Sequence, residues 1–263
     1  MRQRVRKFIA LVSFLVFPLT VFYFSPMIVV MGAFEGVVAG SALMFAAMLV
    51  AGMVFGRSAC GWLCPSGALQ DMATSVVGKP AKLGWRRLVK YVIWAPWVAS
   101  IVLGFVVAGG VRSVEPLYHI DGGVSVGSTS FSIFIYLAVL AVFLVPNLFL
   151  GRRAMCHWIC WMAPFMVVGE KLGRLLHIPQ LHVAARPDTC IGCGKCTKAC
   201  PMSLDVRELL KTGRIADAEC IDCAVCVDIC PKETLQLRFA QVPKAQAVYD
   251  TPGEEEAALE GVR

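Results

Sequence analysis

Apolar residues dominate four long stretches of the chain, at about residues 8–24 (reaching toward 30), 37–55, 88–107 and 131–150. Each comes close to the roughly 20 residues that a helix needs to cross a hydrocarbon core. The pattern predicts four transmembrane helices in two successive hairpins. Pro18 and Pro96 fall inside them, which a bundle tolerates because neighbouring helices satisfy the freed backbone groups. After the fourth stretch the pattern changes. FMVVGEKLGRLLHIP spaces apolar residues at helical intervals with charges between them, as in an amphipathic helix on a membrane surface. His177 stands at its polar-to-apolar edge, as a packing or interfacial residue rather than a ligand. Beyond AARPD lie about 50 cysteine-rich residues; from about 240 the chain is acidic and punctuated by Pro and Gly. That composition predicts a flexible or partner-contacting tail.

Composition agrees with a membrane protein. Of 263 residues 57% are hydrophobic and only 16% charged, and the mean hydropathy is +0.68, too apolar for a soluble domain. The net charge of +7 does not call for nucleic acid, because the basic residues flank the apolar runs as membrane-edge anchors do. Their distribution gives an orientation. Arg2, Arg4, Arg6 and Lys7 precede the first run; Arg57, Lys79, Lys82, Arg86 and Arg87 separate the second and third; Arg152, Arg153, Lys171 and Arg174 follow the fourth. The opposite loops hold only Arg112, beside Glu35, Glu115 and Asp121. The positive-inside rule then puts both termini in the cytoplasm of a multi-pass protein of the bacterial inner membrane. The N-terminus MRQRVRK before an apolar run is similar to a signal peptide, but no clear small-residue cleavage motif follows, so an uncleaved span is expected.

The 12 cysteines fall into four groups, all on the predicted cytoplasmic side, where thiols stay reduced. Such grouping points to ligand sets rather than disulfides. CIGCGKCTKACP (190–201) and CIDCAVCVDICP (220–231) each read C-x2-C-x2-C-x3-C-P. Soft thiolates at these intervals suit iron–sulfur clusters, and zinc would not need the third cysteine. In this motif the fourth cysteine of each run ligates the other cluster. Cys190, Cys193, Cys196 and Cys230 are therefore expected to hold one 4Fe–4S cluster, and Cys220, Cys223, Cys226 and Cys200 a second. Gly192 and Gly194 let the backbone pass close to inorganic sulfur, and Pro201 and Pro231 turn the chain away after the last ligand. The stretch 188–237 resembles the bacterial two-cluster ferredoxins, which implies an electron carrier.

FGRSACGWLC and LGRRAMCHWIC form a second kind of pair. Each follows an apolar span and carries Gly-Arg, Cys, a Trp two residues on and a second Cys. The hairpins thus read as a weak parallel repeat, which would bring Cys60, Cys64, Cys156 and Cys160 face to face at the inner membrane edge. Residues i and i+4 share a helix face. Packing cysteines and a dithiol redox pair are alternatives; a joint metal site is favoured, filled by a third iron–sulfur cluster or by copper(I). Arg57, Arg152 and Arg153 either offset its negative charge or anchor lipid headgroups. Four spans, two such motifs and a two-cluster domain resemble the membrane polyferredoxins. That group includes the NapH-type quinol-oxidising subunits, the nitrous-oxide-reductase regulators, the methylamine-utilisation ferredoxin-type proteins and the copper-reducing oxidase-assembly proteins. CGWLCP matches the family motif at Cys60, Cys64 and Pro65; in the second copy Trp161 follows Cys160 and the proline waits until Pro164.

The expected fold class is an all-α membrane domain of four transmembrane helices, two pseudo-repeated hairpins, joined to a small α+β two-cluster ferredoxin-like domain. The expected layout is 1–164 for the membrane domain, 165–187 for the amphipathic surface helix and linker, 188–239 for the ferredoxin domain and 240–263 for the tail. The expected function is electron relay between the quinone pool and a partner redox protein, in contact with membrane lipid. A metalloenzyme maturation factor that reduces copper is the alternative. Tyr118, His119 and Asp121 in EPLYHID are candidates for accepting a quinol proton, with Glu35 and Glu170 behind them; an ordinary polar loop is the plainer reading. No catalytic triad, phosphate loop, dinucleotide fingerprint or attached-haem motif is visible.

Overall fold

The computed structural model describes residues 1–74, 76–82, 84–120, 124–126 and 130–242. Helix α1 (Arg2–Thr20) runs through a 3-10 turn (Val21–Phe24) into α2 (Pro26–Glu35). Together Arg2–Glu35 make one apolar stretch of 34 residues, interrupted for a local reason. Pro26 has no N–H, and its ring pushes the residue before it out of the helical region. Ser25 is accordingly extended, and its hydroxyl accepts from the Ile28 N–H at 3.4 Å. The carbonyls freed by the break are covered by indoles. Trp161 Nε1 donates to the Phe24 carbonyl at 3.1 Å, and Trp97 Nε1 to that of Pro26 at 3.0 Å. In hydrocarbon each such group left bare costs several kcal/mol.

Among the described residues three helices are long and apolar enough to cross a membrane: Arg2–Glu35, Trp85–Val107 and Phe131–Leu150. The second predicted span differs. Its start forms strand β1 (Val37–Ala39), paired in parallel with β2 (Ser113–Glu115), and only α3 (Gly40–Phe55), 16 residues, is helical. At 1.5 Å per residue α3 reaches about 24 Å, short of a 30 Å core. Gly36, at φ 74°, ends α2 and turns the chain into β1, which β-branched Val37 and Val38 favour.

After α3 come α4 (Ser58–Trp62) and α5 (Pro65–Thr74). After α6 (Val89–Val107) come α7 (Ser130–Leu150), α8 (Ala154–Trp158) and α9 (Ala163–Leu175). A long helix, a five-residue helix and a proline-opened helix thus occur twice in the same order. The two sets interlock, with α5 packed on α7 and α9 on α3. The α3–α9 contact is made through glycine. A Cβ on Gly169 would stand 2.2 Å from the Leu49 carbonyl, and one on Gly52 2.7 Å from that of Met166. The segment read as an amphipathic surface helix therefore buries its apolar face on α3. Periodicity reveals such a face but not what covers it.

Strand β3 (Gln180–Ala185) pairs antiparallel with β4 (Leu235–Ala240). Between them lie α10 (Lys195–Ala199), α11 (Val206–Leu209) and α12 (Val225–Asp228). The small domain thus begins before 188, inside the stretch expected to be linker, because the partner of β3 lies about 50 residues downstream. The segment expected to be the acidic tail lies outside the described residues from 243 onward.

The small domain is docked on the helical one. Gln3 Nε2 donates to the Cys223 carbonyl at 3.0 Å and to Asp228 Oδ2 at 2.6 Å, and Arg2 pairs with Asp228 at 3.3 Å. A Cβ on Gly61 would meet the Ile221 carbonyl at 2.5 Å, and Trp62 Nε1 donates to the Asp222 carbonyl at 3.2 Å. Part of the conserved-looking spacing in CGWLC is therefore a contact surface for the second cysteine loop.

Candidate metal centres

In the small domain the eight cysteines sort into two pockets. Cys190, Cys193, Cys196 and Cys230 line one; Cys200, Cys220, Cys223 and Cys226 line the other. These are the crossed sets that the spacing argument grouped. Both loops reach this geometry through the same backbone turns. Gly192 (φ 68°) and Gly194 (φ 67°) are left-handed in the first loop, and Asp222 (φ 44°) and Ala224 (φ 58°) occupy the matching places in the second. Glycine does this without steric cost, whereas alanine does not. Docking explains its tolerance, since Ala224 is buried and the Asp222 carbonyl is held by Trp62. Gly192 N–H donates to Cys190 Sγ at 3.4 Å, a contact that favours thiolate.

The other four cysteines are also brought together. Cys60 lies on α4 and Cys156 on α8; Cys64 and Cys160 stand just before α5 and α9. Cys60 and Cys156 pack into the same core as Cys200 and Cys223. Cys64 and Cys160 belong to the apolar core between the helices, with Phe17, Phe45 and Phe143. Burial, then the neighbouring cysteines, raise the Cys64 thiol well above its ordinary value, and the same causes push Cys160 up to about 12. Gln70 Nε2 donates to Cys156 Sγ at 3.1 Å. Among the described residues no three His, Cys, Asp or Glu side chains close on a point at single-ion distance. The case for a polynuclear cluster in all three sets rests on the donors, which are thiolates alone.

Buried charge surrounds this third set. Glu219, the residue before Cys220, is 2% exposed and pairs with Arg57 at 3.4 Å and with Lys90, while His157 Nδ1 lies 3.3 Å from its Oε2. Burial alone would raise the Glu219 carboxyl; the nearby His157 ring, Arg57 and Lys90 overcome it and hold the group well below the usual carboxylate range. Asp71 forms a second hub, 2.9 Å from Arg6 and 2.8 Å from Arg153. Arg153 also donates to the Cys60 carbonyl at 3.2 Å, and Arg6 to that of Gly61 at 3.0 Å. Among the described residues Arg57, Lys90, Arg6 and Arg153 thus face Glu219 and Asp71, while burial pushes the neighbouring Asp222 carboxyl up to about 8 and leaves it mostly uncharged at neutral pH, an excess of about two positive charges. A four-thiolate 4Fe–4S centre in its oxidised state carries about two negative charges and would balance it. Arg57 Nε and both ring nitrogens of His157 are buried without a hydrogen-bond partner.

Arg57 and Arg153 are each 1% exposed, which removes headgroup anchoring as their role. Arg152 is half-buried and donates to the Lys198 carbonyl at 2.9 Å. The sequence reasoning did not single out Lys90, Glu219, Asp71, Gln70 or His157. Lys90 had a usable signal, since a lysine inside an apolar span is a functional hint in itself.

The Asp71 hub gives a stability prediction. Burial would raise its carboxyl, but Arg153 and Arg6 outweigh it and hold the folded value below the ordinary one. A depressed folded pKa stabilises above the unfolded value and loses that contribution as pH falls through the folded value. Asp71→Asn is expected to lower unfolding stability at neutral pH by about 3 kcal/mol and to flatten the fall of stability below about pH 4. Thermal unfolding in detergent across that range checks both.

Of the outer-loop candidates, His119 lines a cavity of about 610 Å³ between α1–α2 and α7, and the Tyr118 ring meets it edge-on at 4.4 Å. Asp121 lies outside the described residues. Glu35 is exposed, and Glu170 pairs with Arg174. The cavity walls are aromatic and aliphatic. Phe131 to Phe143 of α7 span about 18 Å of it, and Trp161, one residue after Cys160, closes the Phe143 end with ring centroids 6.3 Å apart.

Comparison with known proteins agrees with this chemistry. Residues 182–231 match the 4Fe-4S dicluster domain family, and residues 37–83 and 131–179 each match a 4Fe-4S binding domain family. The chain is 27% identical over 231 residues, 82% of its length, to the Escherichia coli K12 protein YccM, provisionally named an electron transport protein. It is 31% identical over 185 residues, 66% of its length, to the methylamine utilization ferredoxin-type protein MauN of Methylorubrum extorquens. It is 26% identical over 184 residues to the regulatory protein NosR of Pseudomonas aeruginosa. It spans 60%, 59% and 24% of the lengths of these relatives. No solved structure matches it.

Proposed function

We propose that this chain, which belongs with the ferredoxin-type iron–sulfur electron-transport proteins, relays electrons between a membrane quinone and a partner redox protein. Bound 4Fe–4S clusters supply its one-electron centres. The ligand sets are the two crossed groups of the small domain and, as a third, Cys60, Cys64, Cys156 and Cys160. The third set is a reading supported by thiolate donors alone, by the excess of buried positive charge and by the two matched 4Fe-4S binding segments, each of which contains one cysteine pair. The same segments and the interlocked α3–α5 and α7–α9 sets support an internal duplication and a fourth, shorter span at α3. The basic residues at 2–7, 79–87 and 152–153 support a cytoplasmic small domain.

The single observation that carries the quinone reading is the cavity ending at Trp161. It is long, apolar and set among the spanning helices, as an isoprenoid carrier requires. Its inner wall is one residue from a ligand of the third set. A quinol gives up two electrons and two protons. A head group seated against Trp161 and Phe143 would pass its two electrons one at a time to the third set, and both protons would leave along the cavity past His119 to water at the outer mouth. From there the third set adjoins the Cys200 and Cys223 group in one core, and Cys190 and Cys193 lie exposed on the far side. Copper reduction is the second reading, and the 3.3 Å approach of Cys60 Sγ to the Met166 thioether is the observation that favours it.

The test uses purified protein in nanodiscs. About twelve irons per chain and bleaching of the visible cluster absorption by a reduced quinone analogue are expected. Full iron with no bleaching by ubiquinol or menaquinol analogues would sink the quinone reading and leave the cluster assignment standing.

A further inference from the structure

We infer that the exposed face of the Cys190/Cys193/Cys196/Cys230 pocket is a docking port for an acidic, soluble one-electron carrier of the flavodoxin or small-ferredoxin class. This rests on the relay reading above and names its partner. The two pockets of the small domain are not equivalent. Cys200 and Cys223 are buried, and their loop is covered by Gly61, Trp62 and Gln3. Cys190 and Cys193 are exposed, and Ile191 between them is 59% exposed.

Around that apolar centre the pocket lining carries Lys195, Arg207 and Lys232 and no carboxylate. All three are exposed, and none pairs with an acid among the described residues. The exposed acids nearby in sequence do not line the pocket. Asp205 accepts from Thr197 and caps the Glu208 N–H, Glu208 pairs with Lys211, and Asp188 and Glu233 lie beside the pocket without lining it. An exposed isoleucine inside a cationic ring is the anatomy of a transient electron-transfer interface, with a small apolar contact and a charged rim that steers encounter. Its complement is an acidic rim around an apolar redox edge. The exchange balances simply. One electron leaves the reduced centre, which returns to its oxidised state, and the partner's flavin or cluster is reduced by that electron.

The experiment uses the full chain in nanodiscs, with flavodoxin as the acidic probe and a basic cytochrome c as the opposite one. Binding is read by biolayer interferometry, and electron transfer from the dithionite-reduced protein by stopped flow. Flavodoxin affinity should weaken steeply with added salt, and Lys195→Glu/Lys232→Glu should weaken it about ten-fold at low salt. The same variant should speed transfer to cytochrome c. Iron content and the EPR spectrum report that its clusters are intact. Lys79→Glu/Lys82→Glu, exposed charges outside the pocket lining, should leave flavodoxin binding unchanged. Unchanged binding in the Lys195/Lys232 variant with full iron overturns the port, as does equal weakening in the Lys79/Lys82 control. Dithionite bypasses the quinone, so failure of quinol reduction and failure of this port are read separately.

Discussion

Cys60→Ser combined with Cys156→Ser is expected to lower iron from about twelve to about eight per chain. The two cysteines come from different halves of the chain, on α4 and α8, and share a core with the Cys200 and Cys223 pair. If the four membrane-edge thiolates hold one centre, removing two should empty it, because the remaining pair cannot close a four-thiolate site. The eight small-domain cysteines keep their own crossed pockets, so their EPR signals should persist after chemical reduction. Reduction by quinol should be abolished, because the group adjoining Trp161 is gone. Iron and acid-labile sulfide analysis with EPR decides the point. A wild-type value near eight, or a variant that still holds twelve, removes the third centre from the proposal.

The second large effect is expected at Glu219. Glu219→Gln leaves Arg57 and Lys90 buried with no carboxylate, and removing one member of a buried ion pair costs about 3–5 kcal/mol. For a chain of this size that corresponds to roughly 10 °C in Tm. The damage should be local. Glu219 comes from the small domain, Lys90 from α6 and His157 from α8, so hydrogen exchange should rise first along the seam at α4 and at residues 219–224. The double variant Glu219→Gln/Lys90→Met removes the stranded ammonium and should lose less than Glu219→Gln alone. Equal losses in the two would mean that the ion pair is not what joins the domains.

Much of the site was legible in the sequence because it is encoded locally. C-x2-C-x2-C-x3-C-P states ligand type, spacing and exchange of the fourth cysteine within twelve residues, and the pockets contain those two crossed sets. The apolar runs likewise announced helices, because hydrophobic length is a property of consecutive residues. The α9 segment marks the limit. Its periodicity predicted a helix with an apolar face, but the glycines that seat it on α3 have meaning only once Leu49 and Met166 stand opposite.

The sequence by itself determined two things: where the long apolar helices fall and which cysteine loops suit 4Fe–4S clusters. Both rest on residues near one another in the chain. Only the tertiary structure decided what surrounds them. Arg57, Lys90 and His157 reach one carboxylate from 62 to 162 residues away in sequence, and a local pattern can flag such a charge, as at Lys90, but cannot name so distant a partner. A lone arginine beside a membrane anchors lipid or neutralises a buried anion with equal ease. Burial decides which, because a guanidinium removed from water must find its counter-charge inside the protein.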